Sequence, residues 1–140
     1  MLLLACGPKP PADPVERLLF DLSRAAMAQD AEAFGQHLAA GFVGEGGWTK
    51  ADALNELRRY FTLYQSLEVG TAGIEVDRSA AAPSVRFRAS IAGKPKDIKG
   101  LAGMLPETAR FQFELGLIEE AGAVNVARAS WRQIDAAPAP

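Results

Sequence analysis

The chain has 140 residues, a formal net charge of −2, 49% hydrophobic residues and a single cysteine. That length supports one domain with one sizeable core, and the near-even charge gives no basic excess of the kind that marks a nucleic-acid partner. One cysteine leaves no intrachain disulfide and no cysteine-based metal site, and no stretch reaches the roughly 18–20 apolar residues of a membrane span.

The chain opens Met-Leu-Leu-Leu-Ala-Cys-Gly. Leu3-Leu4-Ala5-Cys6 reads as a bacterial lipobox, in which the cysteine becomes the lipid-bearing N-terminus. Five residues without Lys or Arg precede Cys6, which is short for the charged and apolar parts of a secretory signal. Either Met1 lies inside a longer signal, or the resemblance is chance and the thiol incidental. Gly7 to Asp13, proline-rich and without apolar pattern, suits a spacer and favours the first. Residues 1–6 are thus expected to be a truncated signal peptide and 7–13 a tether. The domain is expected over 14–135 and a disordered tail over 136–140. On this reading the protein is a lipoprotein of the bacterial cell envelope, anchored to the membrane through Cys6, with its domain facing the periplasm.

Asp13-Pro14-Val15-Glu16 starts a helix, with Asp as cap and Pro at the first helical position. Val15, Leu18, Leu19, Leu22 and Ala26 recur at helical spacing to about Ala28. Asp30 caps a second helix over Ala31 to Leu38, Gly41 stops it, and Phe42-Val43 makes a short strand. Gly44 to Gly47 is a turn. Thr49 opens a third helix with Asp52 as the acidic half of a capping box, and Leu54, Leu57, Phe61 and Tyr64 are its buried stripe. After Gln65 the period becomes two. Strands are expected over Leu67–Asp77, Ser84–Ala92, Arg110–Leu117 and Val124–Ile134, with one packed and one polar face each.

Helices followed by a four-stranded antiparallel meander give an α+β fold with the helices on one sheet face. This order resembles the nuclear transport factor 2-like (SnoaL-like) superfamily. The Thr49-opened helix carries part of the likeness, and the closing Val126-Ala127-Arg128-Ala129-Ser130-Trp131 carries the rest. The resemblance implies a curved sheet wrapped around helices, a cystatin-like cone with an internal pocket, and often a dimer through the sheet's outer face. It leaves the activity open, because enzymes and binding modules share this fold.

An enzyme of this kind needs a buried acid or base in the pocket. Asp13, Asp30 and Asp52 read as caps, Asp77 and Asp97 as turn residues, and Glu114 as outward-facing. Glu45 and His37 remain as weak catalytic candidates. Glu45 lies in the loop before Trp48. His37 is the only histidine and has no carboxylate at helical spacing to orient it. Trp48, Tyr60, Tyr64 and Met104 are candidate ligand contacts for a small apolar molecule. No metal and no cofactor is expected. The Gly93–Ala109 connection, with Lys94, Lys96 and Lys99 ahead of an apolar run, reads as a pocket lid or a surface excursion. Arg86, Arg88, Arg110, Arg128 and Arg132 should share the polar sheet face, as a solvated surface or as the surface of a homodimer. The function expected is a non-catalytic small-ligand-binding or assembly domain. The alternatives are a SnoaL-type lyase or isomerase acting in the cone, and a structural dimer whose cone is filled by side chains such as Met104 or Trp131.

Overall fold

The computed structural model describes residues 9–79, 82–96 and 107–134. Three helices, α1 (Pro14–Met27), α2 (Ala31–Gly35) and α3 (Lys50–Thr62), pack on one sheet. The strands are β1 (Leu38–Gly44), β2 (Tyr64–Asp77), β3 (Ser84–Pro95), β4 (Thr108–Glu120) and β5 (Ala123–Ile134). They lie in the order β1-β5-β4-β3-β2. The β2–β5 meander is antiparallel, and β1 joins its β5 edge in parallel, pairing Leu38 with Val126 and Val43 with Arg128. The result is the expected α+β fold, a curved, unclosed sheet whose inner face holds the helices.

The predicted caps form. Asp13 accepts from the N–H groups of Val15 and Glu16 at 3.1 and 3.0 Å and also pairs with Arg78 at 2.8 Å, tying the start of α1 to the turn after β2. Asp30 accepts from Ala33 N–H. Thr49 and Asp52 exchange both bonds of the capping box.

Two elements differ from expectation. The second helix ends at Gly35, not Leu38, and after the turn residues Gln36 and His37 the chain enters β1. Gly35 sits against Leu54 of α3, where even a Cβ would come within 2.9 Å of the leucine side chain. Leu38 is buried through its place in β1 beside Val126. The third helix stops at Thr62, so Tyr64 is the first residue of β2 rather than a member of the helical stripe. Lys94 lies in β3 and Lys96 just after it, whereas Lys99 and the apolar run after it fall outside the described residues.

Two buried clusters form the interior. The larger joins α1 to the sheet through Leu18, Leu19, Leu22, Val85, Phe87, Leu115, Leu117 and Val126. The smaller gathers Ala31, Phe61, Tyr64 and Leu67 where α2, α3 and β2 meet. A clamp fixes the second: Gln29, at φ 55°, donates from its side-chain amide to the carbonyls of Phe61 at 2.9 Å and Tyr64 at 2.8 Å.

The five arginines share the outer sheet face as expected, because strand register places Arg86 opposite Glu114, Arg88 opposite Gln112, and Arg132 opposite Gln112 on its other side. Arg86 pairs with Glu75 at 2.9 Å, and Arg88 and Arg128 lie across Gly73 and Gly116, positions with no side chain to obstruct them. Val43, half-exposed, stands beside Arg128 on this face.

Candidate functional site: an aromatic cone

Between the helices and the inner sheet face is a cavity of about 420 Å³, within the size range of small-molecule sites. Its floor follows from strand alternation. Phe87, Phe113 and Trp131 are successive cross-strand partners on β3, β4 and β5, so one row of rings crosses the sheet. The Phe87 and Phe113 rings are stacked at 5.4 Å with 16° between planes. Phe111 tilts against Phe113. α1 contributes Leu19, Leu22, Ser23 and Ala26, and α3 contributes Ala53, Glu56, Leu57, Tyr60 and Phe61.

Trp48 closes one end, its ring edge-on to Trp131 at 5.6 Å. The turn that delivers it needs glycine: Gly46 and Gly47 have φ of 80° and 85°, a region costly for other residues. Gly44 N–H donates to the Trp48 carbonyl at 2.7 Å and shuts the turn.

Glu45 does not enter the cone. Its carboxylate accepts from the Trp131 backbone N–H at 3.2 Å, standing in for the next strand carbonyl where β1 ends. His37 lies between α2 and β1, its carbonyl accepting from Val126 N–H at 2.8 Å, and it is not part of the cavity wall. Trp48 and Tyr60 do line the cavity. Tyr64 stands behind Tyr60 as a buried support, with ring centroids 4.9 Å apart. Met104 and Cys6 lie outside the described residues.

The polar groups of the wall are few. Burial first, then the neighbouring Tyr64 with which it shares a hydrogen bond, pushes the Tyr60 phenol up to about 12; it is a neutral hydrogen-bonding group at physiological pH. Glu56, placed on the wet helix face by its sequence pattern, reaches the wall. The Arg59 guanidinium bound to it holds its carboxyl below the usual carboxylate range, so it stays ionised and is a weak proton acceptor. No charged side chain is buried among the described residues, nor do three potential metal ligands cluster there. Glu56 was findable: Ala53, Glu56 and Tyr60 share the helical spacing of one face.

No protein-family profile and no curated protein matches the chain. Solved structures do. A candidate scytalone dehydratase from Novosphingobium aromaticivorans superposes with a TM-score of 0.75 at 15% identity, covering 87% of this chain and 83% of its own. A candidate dehydratase of the nuclear transport factor 2-like family from Streptomyces avermitilis gives 0.68 at 12% identity, over 88% and 95%. A protein of unknown function with a cystatin-like fold from Nostoc punctiforme gives 0.67 at 7% identity, over 89% and 92%. At these identities the likeness establishes the fold: the chain has the nuclear transport factor 2-like, cystatin-like cone.

Proposed function

We propose that this cone-fold chain is a lipid-anchored protein of the bacterial cell envelope that binds a small, largely apolar molecule and releases it unchanged. The observation that carries the binding part is the cavity itself, walled by aromatic and aliphatic side chains around a neutral phenol. Glu45 is spent on a backbone N–H and Glu56 on Arg59, which argues against an acid–base pair working inside. The competing reading, a lyase or isomerase, draws on the dehydratase descriptions of two structural neighbours and would have to act through Tyr60 or Glu56. The arginine face, with Val43 at its edge, is the surface we propose for a second copy of the chain.

Native mass spectrometry of the protein purified from bacteria tests the binding part. A reproducible extra mass is expected, lost on denaturation and chemically identical before and after incubation with the protein. A bare chain in every preparation, or a bound compound converted to another, would count against it. For the anchor, Cys6→Ser in the protein expressed with its native leader is expected to move it from the membrane fraction to the soluble one. Unchanged fractionation would refute lipidation at Cys6.

A further inference from the structure

We infer that two copies of the chain meet across the arginine face through a soluble oxyanion of the diphosphate class, held between their guanidinium groups; this rests on the two-copy reading of that face proposed above. Charge is the first reason. Arg86, Arg88, Arg128 and Arg132 are all exposed on the outer sheet face. Arg86 is paired with Glu75. Among the described residues, no carboxylate lies within ion-pair distance of Arg88, Arg128 or Arg132. Glu114 stands between them on β4, opposite Arg86, and forms no ion pair. The other acids of this face are remote or engaged. Glu68 lies opposite Ala92, about 13 Å along the strands from Arg88, and Asp77 accepts from the Ser79 hydroxyl and N–H.

A two-fold contact is self-complementary, so the middle of the face meets its own copy. Even if Glu114 took one arginine across the contact, two of the three unpaired ones would be left in each copy. Like charges brought face to face destabilise a contact, and a buried guanidinium without an acid costs more still. Four such charges per pair of copies match a diphosphate, whose two groups each carry about −1.5 to −2. Chloride or a lone carboxylate falls short.

Placement is the second reason. Arg88 and Arg132 flank Gln112 in one cross-strand row, about 10 Å apart at their Cα atoms by strand spacing. The Arg88 guanidinium lies over Gly73 and that of Arg128 over Gly116. A Cβ on either glycine would come within 2.7 Å of Arg88 Nη1 or 2.5 Å of Arg128 Nη2. Two glycines thus let these heads rest on the sheet instead of ranging through solvent. No hydrogen bond to the described residues engages them, so their planar forks keep the donors that grip phosphate oxygens two at a time. Heads already in place lose less freedom when an anion arrives.

Sedimentation velocity of the full chain carrying Cys6→Ser, at one fixed ionic strength, tests this in chloride alone and with millimolar pyrophosphate. The chain is expected to be largely monomeric in chloride and to dimerise at least about tenfold more tightly with pyrophosphate, with one anion per dimer by calorimetry. Arg88→Gln combined with Arg132→Gln should tighten the dimer in chloride, because repulsion is removed, and abolish the response to pyrophosphate. Equal dimerisation in chloride and pyrophosphate would overturn the bridging anion and leave the two-copy reading standing. A monomer under both conditions would overturn both. Pyrophosphate bound without association would overturn the bridge. So would capture of the chain on phosphatidylglycerol vesicles in place of pyrophosphate-driven pairing, which would assign the face to lipid headgroups.

Discussion

Phe87→Ala is expected to lower unfolding stability by about 3–5 kcal/mol, the range for removing a large buried aromatic side chain. Phe87 is 7% exposed, belongs to the larger buried cluster and stacks on Phe113. It also borders a space that is already open, so its loss joins a new void to an existing cavity. Chemical denaturation should show a lower midpoint at unchanged slope. A loss below about 1 kcal/mol would mean that the floor rearranges freely and that the aromatic shelf is not a rigid feature.

The second large effect falls on a residue that touches no ligand. Gln29 lies beyond the end of α1, and its side-chain amide satisfies the carbonyls of Phe61 and Tyr64. Those carbonyls belong to the end of α3 and the start of β2, where the helix has stopped and its last acceptors lack helical partners. Gln29→Ala removes both bonds and is expected to cost about 1–3 kcal/mol. Gln29→Glu should cost more, since a carboxylate presents only acceptors to two carbonyls, and its deficit against alanine should shrink in acid as the carboxyl gains a proton to donate. Gln29→Gly should be the mildest of the three, because φ of 55° penalises every residue with a Cβ by about 1–2 kcal/mol. Thermal unfolding of the three variants checks the order. Equal stability of alanine and glutamate variants would show that the carbonyls find other partners.

Both effects bear on how far the sequence could be read. The capped helix starts at Asp13, Asp30 and Thr49 were legible because a cap is written within four residues. The strands were legible because Val85-Phe87-Ala89 and Phe111-Phe113-Leu115 alternate cleanly, and the same alternation predicted the shared face of the five arginines. What failed to show was non-local. Gly35, the last residue of α2, has no room for a Cβ because Leu54, in another helix, fills the space beside it. The parallel pairing of β1 with β5 joins residues some 90 positions apart in sequence, such as Leu38 and Val126. Tyr64 fits the helical stripe Leu57–Phe61–Tyr64 by spacing, and non-local contacts mark where the helix gives way: the Gln29 clamp, the Tyr64–Pro95 strand pair and the Lys96 N–H donated to the Leu63 carbonyl. That Trp48 and Tyr60 line the cavity was legible from an aromatic residue in the loop before α3 and another along that helix. The place of Glu45 was not legible, because its contact with the Trp131 N–H of a neighbouring strand depends on a pairing that the local sequence does not encode. The aromatic row needed the register of three strands before Phe87, Phe113 and Trp131 could be seen as one surface.

The central claim is an open, aromatic binding cone, and the chain carries its own reporter. Its two tryptophans, Trp48 and Trp131, both line the cavity. The decisive measurement is a titration of tryptophan emission with N-phenyl-1-naphthylamine, an uncharged ring compound that absorbs where tryptophan emits. The account predicts saturable quenching with one probe per chain, competed by 2-naphthol. Quenching that rises linearly without saturation, or binding that leaves both tryptophans unaffected, would contradict it.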